Sequence, residues 1–485
     1  MAVRAASVFS LDAPIGSQTS GDEQSSLFTI WRYIHHLPIY FDRFTPPFSL
    51  ASYNWFFYYS YGTLTDLTLK ALGLSEAWIP MIGRGITLAG TLVVGAASYA
   101  LISTLSTART PAFLRLCLAL SMLLAVGPLA GFWALTVRPD IWALAFEILA
   151  CVAFFRLYDR KPVPAIITIA VLLYSAWSFK QTAILATGTI GLALLLRNRW
   201  RHAFLLGGIL ASLYGLTFAV GGTDYATNVL FIGVPLSYSA KHVGFIALNF
   251  TPKTLPLLLP AAALVYIALR KPHLCPVLLG DRTVQFTLIG LMSSVTWALL
   301  ATRQTGSAEN YYFTAAFFMV MGVAGGIALF VDRLDEIPLV FAASLAVGWL
   351  ANFALIAAVL LGIVGETTIP AADTVKSCLD RLPRPVFIAS NLESLPWNIP
   401  NNDEHYVLSD FYRQERAMGK IFANDGIGGR IRRGEFASIV LGASSDQQSV
   451  PASFDGGGLG SYTPATPTPC PELSRWVVFL RRGAP

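Results

Sequence analysis

Charged residues are scarce in this sequence. Only 13% of its 485 residues are Asp, Glu, Lys or Arg, whereas roughly 25% of a soluble globular protein is charged. No run of lysine and arginine resembles a nucleic-acid-binding arm, so nucleic acid is not expected as a partner. The low charge excludes an ordinary soluble domain, and hydrophobic residues make up 54% of the chain instead.

Long apolar runs recur along the chain, among them IPMIGRGITLAGTLVVGAASYALIS and AVGWLANFALIAAVLLGIV. Each is long enough to cross a hydrocarbon layer of about 30 Å as a helix. The sequence therefore predicts an α-helical polytopic membrane protein with about ten transmembrane helices, in contact with membrane lipids. The predicted spans are residues 80–103, 113–136, 140–157, 163–179, 182–197, 203–221, 254–270, 283–302, 311–330 and 337–363.

Alternate loops differ in basic content. One set, which includes STARTPAFLR, RLYDRK and RNRWRH, is rich in lysine and arginine, and the positive-inside rule places it in the cytoplasm. The other set then faces outward. This asymmetry predicts three parts: an extracytoplasmic segment with an acidic motif and interfacial helices (1–79), a transmembrane domain (80–363), and an extracytoplasmic α/β domain (364–485).

The N-terminal part begins with residues that predict no membrane span and continues into an aromatic segment. Residues 1–19 contain neither a span nor a good signal peptide, so either a short tail crosses the membrane or the natural protein has a further first helix; we favour the second. Residues 31–69 are dense in Trp, Tyr and Phe, as in NWFFYYSYG, which is typical of helices at headgroup level. These helices serve either as a simple interfacial anchor or as the floor of a cavity under the outer loops.

The C-terminal part reads as a small α/β domain. RPVFIAS, GEFASIVLG and SRWVVFL predict strands, DEHYVLSDFYRQERAMG predicts a helix, and the Gly/Pro/Ser-rich residues 444–469 predict a loop. Cys378 and Cys470 both fall in this domain. In an oxidising compartment they form either a disulfide or two unrelated free thiols, and both alternatives stay open.

Polar residues cluster on the outward loops. Ionisable groups at the ends of spanning helices usually face the bundle or a wet cavity, although any single one could extend to the interface instead. Four separate loops contribute here, which favours a shared site. The candidate residues are Asp22, Glu23, Arg138, Asp140, Lys180, Asn310, Tyr311 and Tyr312.

These residue types suit glycosyl transfer. A carboxylate such as Asp22 can take the proton of an attacking hydroxyl, and Arg138 and Lys180 can stabilise a departing phosphate. Tyrosine offers a sugar ring an apolar face with a polar tip. Because nucleotide sugars are not expected outside the cytoplasm, the expected donor is a polyprenyl-phosphate-linked sugar whose tail lies in the lipid.

At this point the sequence resembles a known family. The segment from GDEQSSLFTIW to NWFFYYSYG resembles the first outer loop of bacterial GT-C glycosyltransferases, in the branch of the protein O-mannosyltransferases and of the aminoarabinose and galacturonosyl transferases of lipid A and its core. RPD (138–140), FKQT (179–182) and ENYYF (309–313) are similar to later motifs of that family, and RPVFIASNLESLPW resembles the start of its outer domain.

The resemblance implies a multi-pass protein of the bacterial inner membrane with an extracytoplasmic active site and C-terminus. It further implies an inverting transferase in which Asp22 is the general base, and Glu23 and Asp140 position the substrate or a metal. Some members use a divalent cation, so Mg²⁺ or Mn²⁺ is a candidate cofactor with Asp22, Glu23 and Asp140 as candidate ligands. The acceptor is a glycan, a lipid or a protein.

Two other classes compete with this interpretation. A lipid or glycan transporter or flippase would bind its substrate near the midplane through interrupted helices, often in repeated halves. The chain shows no convincing repeat, and its polar clusters lie at helix ends on one side, which favours the enzyme. An oligosaccharide polymerase or ligase would share the carrier chemistry but transfer a whole oligosaccharide.

Overall fold

The computed structural model describes most of the chain. The described residues are 5, 9, 23–230, 238–270, 280–304, 307–333, 339–364, 377–389, 405–407, 412, 415–416, 418–442, 459–471 and 476–483. Asp22, the predicted base, lies outside them.

Helices dominate the described residues up to 364. They are α1 (Glu23–Ile34), α2 (Trp55–Leu72), α3 (Ile79–Ile102), α4 (Pro111–Ala125), α5 (Asp140–Leu157), α6 (Pro162–Phe179), α7 (Leu185–Leu196), α8 (Trp200–Val229), α9 (Ala240–Arg270), α10 (Arg282–Ala301), α11 (Phe313–Arg333) and α12 (Leu339–Val364). Each predicted span overlaps one helix from α3 to α12, although α9 begins 14 residues before the span predicted from residue 254. By length and composition, seven helices in the described residues could cross a membrane: α3, α6 and α8 to α12.

The remaining three predicted spans differ from this pattern. Helices α4 and α7 are apolar but shorter, and α5 carries three charged residues within its 18 positions. The span predicted to end at residue 136 is too long, because α4 ends at Ala125. Pro128 disfavours helical backbone at the residue before it, and the chain continues into a short 3₁₀ helix, Gly131–Ala134.

Helix α5 lies at the centre of the bundle and is held closely against α3. A side chain at Gly90 of α3 would meet the Trp142 indole at 2.8 Å, and one at Gly83 would meet Val137 at 2.9 Å. The Trp142 indole nitrogen also donates to the carbonyl of Ile86 over 3.0 Å. Gly83 and Gly90 on α3 therefore allow the start of α5, and the residues just before it, to pack closely against α3.

The aromatic helix α2 is part of the packed core. Phe57, Tyr58 and Tyr61 are buried, and they belong to one cluster with Val137, just before α5, and Phe179 of α6. A simple interfacial anchor would leave such rings in the headgroup layer. The segment therefore packs against the bundle, and its role at a cavity stays a prediction.

The C-terminal residues form a five-stranded sheet in the order β2-β1-β3-β5-β4. Its strands are β1 (Val386–Ala389), β2 (His405–Val407), β3 (Ser438–Gly442), β4 (Tyr462–Pro464) and β5 (Trp476–Arg481). Strand β1 is parallel to β2 and β3, whereas β5 is antiparallel to β3 and β4. One further helix, α13 (Gly426–Arg432), precedes β3.

Two predictions for this domain are wrong in part. The helix predicted over 403–419 is strand at His405–Val407, because pairing with β1 overrides the local pattern. The predicted loop 444–469 contains β4, which lies at the sheet edge where Pro464 is tolerated. Cys378 and Cys470 are joined by a disulfide, with Cα atoms 5.5 Å apart.

The loop between α1 and α2 connects this sheet domain to the bundle. Arg43 donates from Nε to Glu415 over 2.6 Å, and both side chains are buried. Phe44 and Phe48 pack against Phe422 of the sheet domain. The loop that follows α1 is therefore anchored at both ends, in the bundle and in the sheet domain.

Candidate active site

Asp140, the first residue of α5, is the centre of a cluster of polar side chains. Lys180 donates to Oδ1, and Asn310 donates to the same oxygen over 2.6 Å. Arg138 Nε lies 3.4 Å from the other oxygen, Oδ2. We call these four residues the Asp140 cluster; its formal charge is +1, from two cations and one carboxylate.

The four members of the Asp140 cluster come from the ends of three different elements. Arg138 and Asp140 flank Pro139 just before and at the start of α5, where a negative side chain is favoured by the helix dipole. Lys180 directly follows α6, and Asn310 lies in a short 3₁₀ helix before α11. All four are at least nine-tenths buried, so the ends of three helices converge on one carboxylate.

Aromatic rings surround the two cations. The Arg138 guanidinium lies 4.6 Å from the Trp133 ring centroid and 5.4 Å from that of Tyr53. The Lys180 ammonium lies 4.8 Å from the centroid of Tyr311. Cation–π contacts of this kind hold a cation in place without neutralising it.

The loop that leads into α2 fixes the position of this cluster. Gln181, next to Lys180, donates to the Ser52 carbonyl over 2.9 Å. Tyr53 donates its backbone N–H to the Tyr58 hydroxyl, and burial raises the pKa of that phenol well above its usual value. Tyr58 is therefore neutral and acts as a structural hydrogen-bonding group.

Glu23 holds the other side of the segment that carries Arg138. Arg84 of α3 donates to Glu23 through Nη2 over 2.8 Å and through Nε over 3.2 Å. The backbone N–H of Val137 donates to Glu23 Oε1 over 2.9 Å. The start of α1 is thus tied to the residue immediately before Arg138.

A pocket opens beside Asp140, between α5, α10 and α11. It is narrow and partly open to solvent. Its charged lining residues are Asp140, Glu147 and Lys180, and Trp297 and Tyr311 contribute aromatic surface. Polar groups with aromatic surface in one cleft are the usual composition of a small-molecule site.

Glu147 is the centre of a second polar cluster in this pocket. It lies seven residues after Asp140 on α5, so the two carboxylates share a helix face about 10 Å apart along the axis. The Ala186 N–H donates to Glu147 over 3.1 Å, and the Thr314 hydroxyl donates over 2.8 Å. We call Glu147, Ala186 and Thr314 the Glu147 cluster.

The structure brings together most of the predicted site residues. Arg138, Asp140, Lys180 and Asn310 form the Asp140 cluster, and Tyr311 lies against Lys180. Tyr312 is placed differently, since its ring stacks on Phe250 with centroids 4.9 Å apart. The convergence of Asp22 with these residues stays a prediction, because Asp22 lies outside the described residues.

The predicted metal ligands have other partners. Glu23 is engaged by Arg84, and Asp140 by Arg138 and Lys180, a set of cations that does not fit a divalent metal on the same oxygens. Within the described residues, no group of three or more His, Cys, Asp or Glu is arranged to hold a metal ion. No step below depends on a metal.

Sequence reasoning missed Glu147 and Arg84. Both lie inside predicted spans, where the surrounding apolar run dominates the pattern. A signal was present, since an ionisable residue within a membrane span faces the bundle or a partner and marks a functional position by default. Arg84 pairs with Glu23, and Glu147 lines the pocket.

Comparison with solved structures identifies the fold. The chain shares the fold of the solved ArnT structures, and the predicted class, a helical polytopic membrane protein with a small C-terminal sheet domain, is confirmed. It is similar over its full length to ArnT from Cupriavidus metallidurans bound to undecaprenyl phosphate, with a TM-score of 0.55, 10% identity, and coverage of 100% of this chain and 96% of that chain. The apo state of ArnT matches with a TM-score of 0.54 and 12% identity over 99% and 95% of the two chains.

Comparison by sequence finds no such relative. No protein-family model matches the chain, and no curated protein matches it significantly.

Proposed function

We propose that this chain is a membrane glycosyltransferase that moves a sugar from a polyprenyl-phosphate carrier to an acceptor hydroxyl. The observation that supports it most is the Asp140 cluster, in which two buried cations share one carboxylate beside a polar pocket. The net positive charge suits a phosphate. The fold supports the same carrier, since an ArnT structure contains undecaprenyl phosphate.

In this proposal the carrier phosphate binds at Lys180, which lines the pocket, while its polyprenyl tail lies in the lipid. Arg138, on the Oδ2 side of Asp140, adds a second positive charge near the phosphate. Asp140 keeps both cations oriented, so they need no rearrangement when charge develops. Burial lowers the local dielectric constant and strengthens their effect on the leaving group.

The transfer itself exchanges one bond at the anomeric carbon for another. The acceptor oxygen attacks that carbon, and the bond from the carbon to the phosphate oxygen breaks. The electron pair of that bond leaves with the polyprenyl phosphate, whose charge Lys180 and Arg138 stabilise. The acceptor proton goes to a carboxylate, and the configuration at the anomeric carbon inverts.

Asp22 is the proposed proton acceptor. It precedes Glu23, whose carboxylate binds the N–H of Val137 directly before Arg138. This hydrogen bond holds Glu23 at the segment that carries Arg138, and Asp22 is the residue next to Glu23 in the sequence. Glu23 itself is engaged by Arg84, which leaves Asp22 as the better candidate of the two.

The proposed orientation places this site on the outer face of a bacterial inner membrane. The support is the loop asymmetry, since the opposite end of α5 is followed by RLYDRK and the loop after α7 contains RNRWRH. The acceptor is a glycan, a lipid or a protein of the cell envelope.

The test is transfer of a radiolabelled sugar from polyprenyl phosphate to envelope acceptors in membranes that contain the wild type or Asp22→Asn. We expect labelling with the wild type and a loss of about 10²-fold or more in the variant at equal protein level. Asp159→Asn is the matched control, because that carboxylate is 63% exposed and should not affect labelling. Equal labelling by wild type and Asp22→Asn would remove Asp22 from catalysis, and no labelling by the wild type would contradict the proposed donor.

A further inference from the structure

Glu147 has no role in the transfer chemistry described above, yet it is almost fully buried and lines the pocket. Its hydrogen bonds come from neutral donors, the Ala186 N–H, the Leu185 N–H and the Thr314 hydroxyl. An ionised carboxylate has about four acceptor positions. Three of these are used, so Glu147 can accept one further hydrogen bond from a ligand in the pocket.

The Asp140 cluster and the Glu147 cluster give the two ends of the pocket different charges. Around Asp140 two cations meet one carboxylate, whereas the charged residues that line the pocket itself are two carboxylates and one ammonium. The end near Arg138 and Lys180 is therefore positive, and the end near Glu147 is negative. A phosphate-linked sugar fits this arrangement with its phosphate at Asp140 and its ring toward Glu147.

A second polar group points to a ligand in the same pocket, at its Asp140 end. Asn310 lines the pocket and is 7% exposed. Its amide nitrogen donates to Asp140, but no described residue donates a hydrogen bond to its Oδ1 atom. A buried acceptor of this kind needs a donor, and sugar hydroxyls supply donors.

We propose that Glu147 is a specificity-determining residue, which accepts a hydrogen bond from a sugar hydroxyl and excludes carriers whose sugar is an acid. The inference rests on the proposed function, since it assumes a carrier phosphate at the Asp140 cluster. A sugar carboxylate near Glu147 would place two like charges in a buried pocket, and such a juxtaposition is strongly unfavourable. A neutral sugar of the same shape binds without this repulsion.

The test uses a matched pair of ligands. Undecaprenyl phosphate glucose and undecaprenyl phosphate glucuronic acid differ only in the oxidation state of one carbon, and bare undecaprenyl phosphate reports on the carrier alone. Dissociation constants are measured for the wild type, Glu147→Gln and the control Asp159→Asn in nanodiscs. We expect the wild type and the control to prefer the glucose carrier at least about tenfold, and this preference to fall below about threefold in Glu147→Gln.

The preference is a ratio within one preparation, so a partly unfolded variant does not create or hide it. Equal affinity of the wild type for both sugar carriers, or an unchanged preference in Glu147→Gln, would overturn the inference even if bare undecaprenyl phosphate binds. If the wild type binds none of the three carriers, the proposed function fails and this inference fails with it. If Glu147→Gln does not fold, the wild-type ratio alone decides.

Discussion

The two ends of helix α5 differ in how deeply their charged residues are buried and in how those residues are paired. At its start, Asp140 is 4% exposed and is held by two cations and an amide. Just past its other end, Asp159 pairs with Arg282 but has a side chain that is 63% exposed. Burial makes a charge costly unless its partners compensate it, whereas an exposed pair is worth little. The comparison shows that the candidate site differs from the other end of α5 in the burial and pairing of its charges, more than in their number.

Lys180→Met should have the largest effect, because it removes the cation that lines the pocket. Loss of one preorganised group that stabilises charge typically lowers kcat by about 10²–10³-fold, and we expect a decrease of that size in sugar transfer. The measurement is the initial rate of transfer from polyprenyl phosphate at saturating acceptor. Arg282→Gln is the matched control at the opposite end and should keep the wild-type rate. Comparable losses in both variants would contradict the distinction between the two ends.

Glu23→Gln should affect stability rather than chemistry. The amide can still accept from the Val137 N–H, but Arg84 loses its carboxylate in a largely buried position. Removal of one partner of a buried pair costs about 3 kcal/mol or more, which thermal unfolding in nanodiscs would show. The double variant Glu23→Gln/Arg84→Met should recover much of that loss. A single variant as stable as the wild type would show that this pair does not anchor the start of α1.

The smallest effect is expected in the sheet domain, at the exposed residue Glu435. Burial alone would raise the pKa of this carboxyl, but hydrogen bonds from Arg433 and Arg430 over 2.6 and 2.8 Å outweigh it and lower the pKa. Because its pKa is lower in the folded state, the Glu435 carboxylate stabilises the protein at pH values above its usual pKa of 4.5. This contribution is lost as the pH falls through the folded pKa. Glu435→Gln should therefore destabilise the protein by at most about 0.5 kcal/mol at pH 7.

The same comparison at pH 3 tests the sign of this effect. The difference in free energy of unfolding between wild type and Glu435→Gln should shrink there, because protonation removes the charge from the wild type as well. A difference that grows on acidification would mean that the folded pKa is raised.

Hydropathy predicted the helices well because a membrane span must be long, apolar and helical. It failed where local chain chemistry intervenes, as at Pro128 after α4, and where pairing with a distant strand decides the structure, as at β2. Loop motifs predicted Asp140, Lys180 and Asn310, since several outward loops place polar residues at helix ends on the same face. Glu147 and Arg84 were missed because their partners come from other elements, and only the packed bundle shows which charges meet.

The central claim is that a carrier phosphate binds at the Asp140 cluster. The most direct test is a cryo-electron microscopy structure of the protein in nanodiscs with undecaprenyl phosphate. The account predicts phosphate density within about 4 Å of Lys180 Nζ, the distance of an ion pair. A phosphate bound beside Arg282 at the opposite end of α5, or anywhere else away from Lys180, would contradict it.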